Sequence, residues 1–172
     1  MTLKKLKIIN IFLLFILSII AHNIYNYFPN LLTAIFFPIN ESIFEHMKII
    51  FTTILLTGIS DYIILKLNNI KYNNFKFQLF FTAFISIFIF LLIYLPIHYL
   101  LEEYLPLTLI LLLITYIISQ IISYKLLIHK ELPMLNKISI ILILLVYLNF
   151  LVLTFIPNKD DFFHDTYTTK ET

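Results

Sequence analysis

The 172-residue sequence has no cysteine, no tryptophan, no arginine and one glycine, Gly58. Without cysteine there is no disulfide, no thiolate-bound zinc and no thiol nucleophile. One glycine leaves no GxxxG helix-pairing motif and no glycine-rich phosphate loop. Charge is scarce too. Only 13% of residues are charged, about half the share in ordinary globular domains. All twelve basic residues are lysine and the net charge is +2, which does not point to nucleic acid as a partner. What is abundant is apolar: 60% hydrophobic residues and a mean hydropathy of +0.94. A soluble domain of this size could not hide that much apolar surface in one core. A soluble enzyme, a nucleic-acid binder and a disordered chain are thereby disfavoured. The richness in Ile, Asn, Lys, Phe and Tyr matches a low-GC bacterial composition.

Five apolar runs are long enough to cross a bilayer core of about 30 Å, which takes about 20 helical residues. They are Ile8–Phe28, Met47–Leu67, Phe77–Ile97, Leu107–Ile128 and Ile138–Ile156. The fold expected is an all-α polytopic membrane bundle, one domain over 1–172, with an outer tail at 157–172. The first run has Lys4, Lys5 and Lys7 before it but no small-residue cleavage site after it, so it reads as an uncleaved helix. The prolines sit at the run limits: Pro29, Pro38, Pro96, Pro106, Pro133 and Pro157. Residues 30–39 are too few to span and read as a short outer interfacial helix.

Lysine sets the expected orientation. Lys4, Lys5, Lys7, Lys66, Lys71, Lys76, Lys125, Lys130 and Lys137 fall on one side, and Lys48, Lys159 and Lys170 on the other. The N-terminus is therefore expected inside and the C-terminus outside a bacterial cytoplasmic membrane. The bilayer is the obvious partner, with another membrane subunit or a second copy of the chain as a further one.

With that topology, four of the five histidines and eight of the ten carboxylates gather at the outer side. His22 lies late in the first span, at a depth where histidine is costly unless it meets a partner or water. Asn40, Glu41, Ser42, Glu45 and His46 open the second span. Ser42-x-x-Glu45 reads as a capping box, and acidic residues suit a helix N-terminus. Capping leaves Glu41 and His46 unexplained. Glu41 and Glu45 share a face at i,i+4, and His46 is one position round. His98 and Glu102 share the same spacing at the end of the third span, provided Pro96 does not end that helix first. His164 and Asp165 could fold back over the second span from the tail. The candidate ligand-binding residues are His22, Asn40, Glu41, Glu45, His46 and Asp165. The candidate metal ligands are His22, Glu41, Glu45, His46, His98 and Glu102. Glu41, Glu45 and His46 are the candidate catalytic groups. Mixed imidazole and carboxylate donors suit zinc or another divalent cation.

Asp61 lies within the second span and is expected to face a polar partner on a neighbouring helix, with Ser119, Gln120 or Ser123 as the expected ones. Thr115, Ser119 and Ser123 at i,i+4 steps suggest interhelical hydrogen bonding in place of glycine packing.

The segment Phe37-Pro38-Ile39-Asn40-Glu41-Ser42-Ile43-Phe44-Glu45-His46-Met47-Lys48 resembles the FxPVNESxWEHLK signature of a family of small bacterial membrane proteins of unknown function, with Phe44 in place of Trp. His22 before an aromatic-rich stretch, and Pro157 followed by Phe162-Phe163-His164-Asp165, resemble that family's first helix and tail. The resemblance implies a membrane protein of five or six helices and supplies no activity. Two functions stand open. One is a non-enzymatic protein whose outer His/Glu site binds a ligand, metal or partner. The other is a metal-dependent hydrolase acting on a lipid or envelope substrate in the outer leaflet.

Overall fold

A helix in hydrocarbon satisfies its own backbone, which is why long runs of Ile, Leu and Phe fold this way in a membrane. The computed structural model describes residues 1–100 and 105–164. Its elements are α1 (Leu3–Tyr27), α2 (Leu31–Phe36), α3 (Ile43–Leu67), α4 (Phe75–Leu100), α5 (Leu105–Ile128) and α6 (Pro133–Phe155), then a 3-10 turn at Asp161–Phe163. All but α2 are long and apolar enough to cross a membrane. The described residues contain no strand. The protein is a helical membrane bundle; the end where α1 begins is called here the amino face and the end where α6 finishes the carboxy face.

Each expected span has its helix, but the helices begin earlier. Thr2 caps α1 by accepting from Lys5 N–H, so Lys4, Lys5 and Lys7 ride on the helix rather than before it. Ser42 caps α3, and Pro133 occupies the first turn of α6, where its missing N–H costs nothing. Pro96 does not end α4. It sits inside the last turns, and the helix continues through His98 to Leu100.

Helices α1, α3, α4 and α5 pack as a ring, each against two others of the four, and α6 lies against α4 and α2. The most buried span is α3, and α6 is the least. Gly58 faces Leu79 of α4, which occupies the place a Cβ would take. Hydrogen bonds join helices alongside a buried apolar cluster that includes Leu14, Phe51, Phe90 and Phe150. Ser119 Oγ meets Ser86 Oγ at 2.5 Å and Gln78 Nε2 donates to Ser123 Oγ at 2.7 Å, both between α4 and α5. The Tyr116 hydroxyl bonds Ser18 and, at 3.2 Å, Thr53.

Asp61 faces the bundle as expected but meets a different helix. Its partners are on α1: Lys7 Nζ at 2.5 Å and Asn10 Nδ2 at 2.7 Å. Gln120 is reached only through Asn10, at 3.5 Å, and Ser119 and Ser123 bond α4 instead. Lys7 and Asp61 are both buried. Two opposite charges removed from water must pair, and the Asn10 carboxamide adds a hydrogen bond to the second oxygen of Asp61.

Candidate functional site at the carboxy face

The chain between α1 and α3 builds this end. Asn30 and Thr33 close a reciprocal capping box that starts α2 just after α1 ends. From the end of α2 the chain runs extended through Pro38, and Asn40 Oδ1 then accepts from Ser42 N–H at 3.0 Å. Ser42 Oγ accepts from Glu45 N–H at 3.3 Å, starting α3. This turn sends Glu41 and Glu45, four residues apart, into different surroundings.

Glu41 points toward α1. Its Oε2 lies 3.2 Å from His22 Nε2 and 3.4 Å from His46 Nε2. The two imidazole Nε2 atoms are themselves 3.3 Å apart. Three ligand atoms, from α1, the linker and α3, thus form a nearly equilateral triangle. All three side chains are about a third exposed. His46 Nδ1 lies 2.8 Å from the carbonyl of Ser42. A carbonyl only accepts, so Nδ1 carries the proton, and in the neutral ring Nε2 presents its lone pair to the triangle. Hydrogen bonding from the His22 imidazole, joined by His46 only when that ring is protonated at both nitrogens, holds the Glu41 carboxyl well below the usual carboxylate range, so it is ionised at neutral pH.

Glu45, grouped from the sequence with the candidate ligands His22, Glu41 and His46, turns away from His22 and does not join them. It is buried with Lys48, whose Nζ is 2.5 Å from Glu45 Oε2. Glu45 Oε2 also accepts from Ile39 N–H at 2.8 Å, and Oε1 accepts from the Thr154 hydroxyl at 3.0 Å. Lys48 Nζ donates to the Ala34 carbonyl at 2.8 Å and to Thr154 Oγ1 at 3.0 Å. Residues of α2, α3, α6 and the linker are tied together by this one ion pair. Thr52 adds a second tie, donating to the Phe36 carbonyl at 2.9 Å. Lys48, counted from the sequence as an outer lysine, is an internal clamp.

The other candidates separate from the triangle. Asn40 braces the turn. His98 Nδ1 lies 3.1 Å from the Tyr94 hydroxyl on its own helix, and the two rings stack. Glu102 and Asp165 lie outside the described residues. His164 ends the described chain, just after a turn docked on the start of α3 through Phe163 and Phe44, whose ring centroids are 5.0 Å apart. Sequence reasoning missed the part played by Ser42 in orienting His46. A histidine four residues after a cap can reach the cap's carbonyl, and that spacing was the available signal.

Beside His22 and His46 lies a cavity of about 310 Å³ between α1, α3, α4 and α5. Ser18 lies at its deep end, and Ile49, Ile50, Phe90 and Leu112 contribute apolar wall.

The architecture and the cluster define a polytopic helical membrane protein with a His/carboxylate donor set at one end. The chain belongs to a family of unknown function, DUF6512, whose model matches residues 1–172. No curated protein and no solved structure matches it.

Proposed function

We propose that this chain is a multi-pass protein of the bacterial cytoplasmic membrane that binds a divalent cation of the zinc class through His22, Glu41 and His46. The observation that carries the proposal is the triangle. Zinc–nitrogen and zinc–oxygen bonds of about 2.0–2.1 Å, directed to the corners of a tetrahedron, put neighbouring donor atoms roughly 3.3–3.4 Å apart. The three sides of the triangle are 3.2, 3.3 and 3.4 Å. The chemistry agrees with the distances. One carboxylate oxygen and two imidazole nitrogens come together, and His46 has the carbonyl-bonded second nitrogen usual for a metal-binding histidine.

Lysine supports placing this site on the outer face. Lys7 and Lys48 are both buried in ion pairs, so neither belongs in the count. Setting one aside from each side of the sequence count leaves eight lysines in the segments expected inside and two in those expected outside. That bias supports an N-terminus in the cytoplasm.

A second reading is hydrolysis at the same cation. It is favoured by the number of protein donors, since three plus water is the usual arrangement of catalytic zinc, whereas structural sites use four. A cation there would bring the pKa of its bound water to about 7.

The test of the proposal is the metal content of the purified protein after zinc loading and removal of free metal. Roughly one cation per chain is expected, lost in His46→Ala and in His22→Ala and retained in Glu45→Gln if that variant folds. Absence of bound metal from the parent protein would overturn the proposal.

A further inference from the structure

The cavity next to the triangle has two kinds of wall. Its back is formed by Ile49, Ile50 and Phe90 of α3 and α4, all buried. Its front edges are Ile19 and Asn23 of α1 and Leu105 of α5, all exposed. The mouth therefore opens sideways between α1 and α5, toward the bilayer. The upper end of the cavity is bounded by His22 and His46 and its deep end by Ser18, one helical turn below His22. Ser18 makes no demand on a polar ligand, because its hydroxyl already bonds the Leu14 carbonyl and the Tyr116 hydroxyl. The site is thus polar at the membrane surface and apolar below it.

We infer that this cavity holds a single-chain amphiphile whose oxyanion head meets the cation of the triangle and whose chain lies against Ile49, Ile50, Leu109 and Leu112. The inference rests on the metal reading of the cluster and adds the class of ligand. Charge selects the head: a divalent cation with one carboxylate and two neutral imidazoles keeps a net positive charge, and a carboxylate or phosphate oxygen completes its coordination. Volume selects the chain. About 310 Å³ is near the lower limit of small-molecule pockets and suits one chain better than two. The α5 lining from Leu105 to Leu112 spans about 10 Å, so a long chain leaves through the mouth and ends among the lipids.

The test uses the full chain, zinc-loaded, in lipid nanodiscs, with a photoactivatable diazirine analogue of palmitate as probe. A diazirine lysophosphatidate and a diazirine fatty alcohol serve as parallel arms. Zinc-dependent labelling within α1 and α5 is expected from one or both oxyanion probes, and their ratio identifies the head as carboxylate or phosphate. The alcohol is expected to label at least about tenfold less, equivalent to about 1.4 kcal/mol of binding. Leu109→Trp, which fills the cavity, and Ile19→Trp, which blocks the mouth from an exposed position, should each cut labelling by a similar factor while zinc content stays at the parent value. Unchanged labelling in Ile19→Trp with zinc in place would overturn the amphiphile site and leave the metal site standing. The same follows if the alcohol labels as well as the oxyanions. If the parent binds no zinc, both inferences fall together.

Discussion

Glu41 and Glu45 are one helical turn apart and show two uses of the same side chain. Glu45 is buried, faces an ammonium group and has both oxygens in hydrogen bonds with the protein. Glu41 is half-buried and faces two imidazole nitrogens. The first arrangement has its counter-charge within the chain, and its product is position: α2 and α6 are held against α3. The second gathers three donors of electron pairs, one carboxylate and two imidazoles, within 3.4 Å of one another. The Lys7–Asp61 pair belongs with the first kind, since its charges balance and Asn10 joins in. A charged cluster complete within the protein reads as structure. One whose carboxylate stands among imidazole nitrogens at metal-ligand spacing reads as a site.

The comparison can be broken by removing members of each cluster. The largest expected effect is at Asp61. Asp61→Ala leaves the Lys7 ammonium buried and unpaired, at a cost of about 3–5 kcal/mol, read as lost thermal stability and yield in detergent. The double variant Lys7→Met/Asp61→Leu should regain most of it. Lys48→Met comes next, at about 3 kcal/mol, since Glu45 keeps its bonds to Ile39 and Thr154. Protease cleavage near α2 should rise in that variant, because the Ala34 tie is gone. Ser42→Ala removes only the helix cap and should cost about 1 kcal/mol in thermal unfolding. It retains the carbonyl that orients His46, so metal content should not change. Smallest of all, Glu41→Gln in metal-free protein should shift stability by at most about 0.5 kcal/mol, as expected of a half-exposed, solvent-screened contact. The comparison sharpens on adding zinc. The parent should gain about 2.7 kcal/mol when free zinc is a hundred times its dissociation constant, and Glu41→Gln should gain far less.

The fold was largely legible in the sequence because hydropathy and length decide what crosses a bilayer. The runs at 8–28, 47–67, 77–97, 107–128 and 138–156 each mark a helix, and residues 30–39 contain α2. Boundaries were missed where polar caps and lysines belong to helices, as at Thr2 and Lys7. Pro96 misled because a proline near a helix end can be carried through the last turns. His22, Glu41 and His46 were legible as candidates on one side of the membrane, because all three fall at the same ends of their spans. The partners of Asp61, Glu45 and Lys48 were not, because pairing across helices depends on which faces meet. One clue was available in α1: Lys7, Asn10, Leu14, Ser18 and His22 recur at steps of three and four residues and so share a face. That face carries the polar groups that Asp61 and Tyr116 meet.

X-ray absorption at the zinc edge of the zinc-loaded protein tests the cation site most directly. The expected spectrum shows nitrogen and oxygen donors at about 2.0–2.1 Å, with the outer-shell scattering of two imidazoles. That imidazole signal should be reduced in His22→Ala and in His46→Ala and unchanged in Ser42→Ala. A spectrum without imidazole scattering, or one that is the same in the parent and both histidine variants, would contradict a cation held by this triangle.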